Sequence, residues 1–187
     1  MLASFSPRAR AVIIRAGMIA ADCGQRRLGD GFLLLALAEG EPLARPMELG
    51  VTAAGIRAAI EVRSPRRRDR ELLATLGIDL DEVRRRAVVA TGVDDPARWR
   101  LRRSPFRPLR VTLSGPATEI VLDESGRKVI EVARWASRRG HRTLAEREDL
   151  LCGLLADGRS ESVRILRRGG ADLSRLGADL RRWHRFS

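Results

Sequence analysis

Apolar positions recur at helical spacing at both ends of this chain, and the pattern breaks down between them. Val12, Ile13, Ala16, Ile19, Ala20 and Cys23 line one face of a helix. Ser6-Pro7 places an N-cap before a proline at the first helical position, and Gly24 supplies the stop. Gly29-Asp30 introduces a second helix whose residues 32–37 are apolar on every side, which predicts a central place in the core. Pro42 and Pro46 bracket the start of a short third helix ending at Gly50. Thr52 caps a fourth, carrying Ile56, Ala59 and Ile60.

From Arg63 the character changes. Residues 63–68 read as an exposed connector, and residues 71–76 and 79–88 as an extra helix pair broken at Gly77. Residues 98–108 carry two prolines and read as loop or extended chain, and residues 111–121, with Gly115-Pro116, are poorly helical. Residues 63–110 hold 14 Arg and 7 acids, more than half of the formal net charge of +12. Helical grammar then returns. Asp123 caps a helix carrying Val129, Ile130, Ala133 and Ala136 that ends at Gly140-His141. Residues 150–155 mirror the apolar run at 32–37. Ser160 or Ser162 caps the next helix, closed by Gly169-Gly170, and Asp172 opens a last one toward Trp183.

The two ends are copies of one another. Residues 5–13 align with residues 122–130 at an offset of 117, and the same offset carries Leu33-Leu34 onto Leu150-Leu151. At this point the chain resembles the N-terminal repeat domain of the Clp AAA+ unfoldases, of the ClpC type. That family opens each repeat with F-T-P-R-A and continues through G-H and G-T-E-H-L-L-L-A-L to a leucine-glycine-valine-aspartate tail. Phe5-Ser6-Pro7-Arg8-Ala9 matches the opening, and residues 29–37 match the second helix, with Gly31 and Phe32 at the family's Glu and His. In the second copy Gly140-His141 is kept and Glu148-Asp149-Leu150-Leu151 resembles E-H-L-L, while Leu122 and Glu124 replace Phe and Pro of the opening. The resemblance implies an all-α fold: two pseudo-symmetric four-helix repeats, residues 1–62 and 120–187, joined by an Arg-rich linker, 63–119, with its own helix pair. It also implies a docking module for adaptors, clients and cyclic peptides, working with Clp unfoldase and protease components. The ATPase ring that normally follows such a domain is not within these 187 residues, so the resemblance implies a stand-alone relative or part of a longer chain.

Composition narrows the chemistry. Of 36 basic residues one is lysine, and Lys128 is followed by Val129, so a G-x-x-x-x-G-K-[ST] phosphate loop is excluded. Two histidines and two cysteines are too few for a structural zinc site of usual composition, and neither histidine neighbours a nucleophile, so no catalytic residue, metal or cofactor is expected. Cys23 and Cys152 lie near apolar helical runs and read as free, packed thiols. Arg8, Arg10 and Arg15 interrupt any signal-peptide core, and the longest apolar run is seven residues, which points to a cytoplasmic protein without a membrane span.

Two sets of residues are candidates for binding. The resemblance assigns peptide contact to Phe5 at the junction of the repeats, with Arg8 and Arg10 lining the same surface; the alternative for Phe5 is a hydrophobic staple across the helix start. In the family a glutamate pairs with the guanidinium of phosphoarginine. Gly31 cannot do this, and Glu148 is the candidate in the second copy, with a plain helix-start acid as the alternative. The second set, the alternative function, is a nucleic-acid interface in which Arg98, Trp99, Arg100, Arg102, Arg103, Phe106 and Arg107 interleave guanidinium with aromatic groups.

Overall fold

The computed structural model describes residues 2–44, 47–61, 98–104, 110–116 and 119–186. The extra helix pair expected at 71–88 lies outside these residues, as do Phe106 and Arg107. A 3-10 turn at Leu2–Ser4 leads into α1 (Pro7–Asp22), with Ser6 as its N-cap accepting from the Ala9 N–H. Strand β1 (Arg27–Leu28) and α2 (Asp30–Glu39) follow, then α3 (Ala53–Glu61), where the Thr52 hydroxyl accepts from Gly55 N. Residues 47–50 are not helical, so the short third helix expected up to Gly50 does not extend over them. Here Met47 N donates to Ala44 O at 2.9 Å and the Met47 side chain is buried.

The all-α expectation needs correction. Strands β2 (Arg100–Arg103), β3 (Val111–Ser114) and β4 (Glu119–Leu122) join β1 in a four-stranded sheet of order β1-β4-β3-β2. The physical reason is alternation. Val111 and Leu113 point inward with Thr112 and Ser114 between them, and Leu101, Ile120 and Leu122 are buried in the same way. The fold remains mostly helical. Helix α4 (Glu124–Arg139) is capped by Asp123, α5 (Arg147–Leu155) starts in a capping box, α6 (Glu161–Arg168) is capped by Ser160, and α7 (Leu173–Phe186) completes the chain. His141, just past α4, takes a left-handed φ of 56°, the conformation that ends a helix.

Helix α2 is the hub of a core drawn from both ends of the sequence. Leu33, Leu34, Leu35, Ala36 and Leu37 are all buried, and the helix packs against α1, α3, α4, α5 and α6. Helices α4 and α5 cross closely enough that a Cβ at Gly153 would sit 2.5 Å from the Val129 carbonyl oxygen.

Backbone pairing ties the ends together crosswise. Phe5 bridges Ala145, and Leu28 pairs with Leu122, both in parallel. Ser6 N donates to Ala145 O at 2.9 Å, and 117 residues on, Asp123 N donates to Leu28 O at 3.1 Å. Each N-cap residue therefore takes its backbone acceptor from the other end of the chain.

Candidate binding surface

Three of the four residues assigned to peptide binding lie together at the start of α1, and Glu148 joins them through a loop. Ser6 Oγ donates to Glu146 Oε2 at 2.6 Å, which sets the start of α1 beside the start of α5. Arg10 reaches back to the Phe5 carbonyl at 3.5 Å, and Arg8 pairs with Glu41 at 3.3 Å on the open surface. The Arg147 guanidinium then donates to the carbonyls of Glu41 and, at 2.8 Å, Pro42. Glu148 Oε1 accepts from Ala44 N at 2.8 Å. Two charged side chains of α5 thus hold the loop after α2 in place.

Exposure separates these residues. Phe5 has no exposed surface, so it is not a surface contact: its ring belongs to the core beneath the helix start. Glu148 is buried too, with one carboxylate oxygen committed to a backbone N–H; it orders a loop and is not presented to a guanidinium ligand. Arg8 is exposed and Arg10 half-buried, with its Nε lacking a hydrogen-bond partner. The part of this region that can meet a partner therefore holds Arg8, with Glu41 exposed beside it, and the half-buried Arg10. At Gly31, a Cβ would lie 3.3 Å from the Glu161 carboxylate, so the position that departs from the family glutamate faces an acid from α6.

The nucleic-acid candidates resolve differently. Trp99 is buried, its ring packed so tightly under Gly115 that a Cβ there would lie 2.7 Å away, and it is not available for base stacking. Within the stretch expected as loop or extended chain, Arg100–Arg103 form an edge strand among the described residues. Its arginines alternate with Leu101, leaving Arg98, Arg100, Arg102 and Arg103 exposed. From Arg98 to Arg102 the interleaving is alternation between solvent and core.

A cluster the sequence reading did not single out joins α5 to α7. Arg142 donates to Asp149 Oδ1 at 2.6 Å, lies with its guanidinium carbon 4.2 Å from the centre of the Trp183 ring, and contacts His184 Nδ1 at 3.3 Å. Burial pushes the Asp149 carboxyl up to about 6, outweighing the Glu146 N–H and Arg142, which pull it down. Burial, then the Arg142 charge, lowers His184. Cys152, a free thiol one turn from Asp149, is raised by burial and by that carboxylate. The partners come from residues 35 and 42 positions apart.

A cavity of about 60 Å³ opens between α4, α5 and the start of α6, lined by Asp30, Ser125, Lys128, Asp157 and Ser160. Its polar groups are already used: Asp30 holds Ser162 N at 2.8 Å and Lys128 pairs with Asp157 at 2.9 Å. Among the described residues no group of three or more His, Cys, Asp and Glu could hold a metal ion, and no helix is long and apolar enough to cross a membrane.

No protein-family model matches the chain, nor does any curated protein sequence. Solved structures do. The N-terminal domain of the Caseinolytic protease associated chaperone ClpD from Arabidopsis thaliana superposes with a TM-score of 0.57 at 20% identity, covering 96% of both chains. A chain solved in structural work on a malarial protein secretion system gives 0.56 at 16% identity, covering 97% of this chain and 95% of that one. The fold is that of a Clp N-terminal domain.

Proposed function

We propose that this protein is a non-catalytic, Clp-N-like docking module that binds proteins or peptides in regulated proteolysis. The observation that carries the reading is the end-to-end likeness to the ClpD N-terminal domain, with almost nothing left over on either chain. The crosswise exchange between Phe5 and Ala145 and between Leu28 and Leu122 supports two Clp-N-like repeats locked into one body. Two roles fit such a module, delivery of clients to an unfoldase and competition with an unfoldase N-domain for clients, adaptors or cyclic peptides. The competitor role is favoured, because Gly31 and the committed Glu148 remove both carboxylates that would copy phosphoarginine delivery. A cytoplasmic location fits this reading.

The test is client degradation by a Clp unfoldase–protease pair with the purified chain added. Slower turnover that recovers on adding more client is the competitor result; faster turnover is the delivery result. No change in rate, together with no binding of a labelled cyclic peptide, sinks both. A second reading, nucleic-acid binding, has one observation in its favour: the arginines exposed along β2. It predicts affinity that falls steeply with salt.

A further inference from the structure

Helix α4 has two halves on its solvent side. In the first, charges are matched: Arg103 and Arg127 both reach Glu131, at 2.8 and 3.4 Å, and Lys128 reaches Asp157. The second half, residues 132–139, contains Arg134, Arg138 and Arg139 and no acid. Trp135 stands at the centre of that face, 51% exposed, with the Arg139 guanidinium carbon 5.2 Å from its ring centre.

Part of this has an ordinary cause. Arginines in the last turn suit the helix dipole, and a single exposed apolar residue is normal on a protein surface. Neither accounts for an indole at the middle of the solvent face with guanidinium groups on adjacent turns. The position 117 residues earlier makes the contrast plain. Gly17 and Met18 correspond to Arg134 and Trp135, and there the helix is covered: a Cβ at Gly17 would lie 2.5 Å from Leu113 of β3 and 3.8 Å from Ile120 of β4, while Met18 packs against the core. The corresponding face of α4 carries a tryptophan among arginines instead.

We infer that the C-terminal half of α4 docks an acidic protein segment carrying one apolar or aromatic anchor. Tryptophan and arginine are the side chains that most often carry binding energy at protein interfaces, and guanidinium groups grip carboxylates through paired hydrogen bonds. A protein occupant is favoured over single-stranded nucleic acid because a helix face is convex, offering no groove to follow a phosphate backbone. One face of the indole is also already occupied by Arg139. The inference stands on this face alone, whatever partner the α1 side takes.

Fluorescence polarisation with the full chain tests it. The probes are a labelled glutamate-rich peptide with one central phenylalanine, its glutamine counterpart, and a single-stranded oligonucleotide. Trp135→Ala, and separately Arg138→Glu with Arg139→Glu, should each weaken the acidic peptide about tenfold or more, while Lys128→Gln and Arg175→Glu stay within about twofold. Circular dichroism of each variant matching the wild type shows that these surface changes leave the fold intact. Three results would overturn the inference: no acidic-peptide binding, equal weakening by Arg175→Glu, or tighter binding of the oligonucleotide than of the peptide.

Discussion

Asp149 holds Arg142 at 2.6 Å through one carboxylate oxygen and the Glu146 backbone N–H at 2.8 Å through the other. One buried side chain therefore starts α5 and anchors the guanidinium on which Trp183 of α7 rests. Asp149→Ala removes both and leaves Arg142 buried without its counter-charge. The expected loss is about 3–5 kcal/mol in urea denaturation, with the Trp183 fluorescence environment changing in the folded state. Asp149→Asn retains an acceptor for Glu146 N and should cost clearly less.

The same residue makes stability depend on pH. Its folded pKa, about 6, lies above the ordinary 3.8, so the folded state binds the proton more tightly. The stability this contributes is fully present below about 3.8 and is lost as pH rises through about 6. His184 acts in the opposite sense. Its folded pKa is lowered, so its contribution is present above about 6.5 and is lost as pH falls through the folded value. The difference between wild type and Asp149→Asn should therefore shift against the wild type between pH 4 and 6 and level off above. A flat difference across that range would show that Asp149 titrates normally.

Much of the helical skeleton was legible because its signals are local. Ser6, Asp123, Ser160 and Thr52 cap the helices their positions suggested, through bonds to N–H groups three residues on. The sheet was missed for a physical reason. Its strands are two to four residues long, β1 is only Arg27–Leu28, and each is stabilised by pairing with chain far away in sequence. For the site, Arg8 lies exposed and Arg10 half-buried, while burial took Phe5, Glu148 and Trp99 out of it. An aromatic beside an arginine looks the same in sequence whether it stacks on a ligand or fills a core.

Gly153 and Gly17 both lie where a Cβ would come within 2.5 Å of a neighbour, yet they should respond differently to alanine. At Gly153 the obstacle is backbone, the Val129 carbonyl oxygen and Cα. At Gly17 it is the Cδ2 end of Leu113, which has other rotamers. Forcing α4 and α5 apart should cost about 2–3 kcal/mol or more, against about 1 kcal/mol at Gly17. Thermal melts of the two variants decide it, and equal losses would contradict the close helix crossing.

Trp99 gives a discriminating test between core and interface. Its replacement by alanine should destabilise the fold by about 3–5 kcal/mol, because the ring fills the space under Gly115. Arg102→Glu, on the open side of the adjoining strand β2, should leave stability within about 0.5 kcal/mol. If the β2 face binds nucleic acid, the pattern reverses in an electrophoretic shift assay: Arg102→Glu reduces both affinity and its salt slope. Loss of binding by folded Trp99→Phe with Arg102→Glu unaffected would contradict the buried placement.

Phe5 and Arg8 are three residues apart and should separate stability from binding. Phe5 is wholly buried and bridges Ala145 of the opposite end, so Phe5→Ala opens a cavity at the seam and should cost about 3–5 kcal/mol. Any loss of ligand binding in that variant follows from the fold and says nothing about contact. The Arg8 side chain is 69% exposed and pairs with an exposed glutamate, so Arg8→Ala should change stability by no more than about 0.5 kcal/mol. Binding to the α1 side is therefore read from Arg8→Ala and Arg8→Glu, by titration of a labelled cyclic peptide at a temperature where both remain folded. Weaker binding in the order wild type, Arg8→Ala, Arg8→Glu places the ligand on the cationic rim of α1. Unchanged affinity in both would move the peptide-binding surface away from the start of α1.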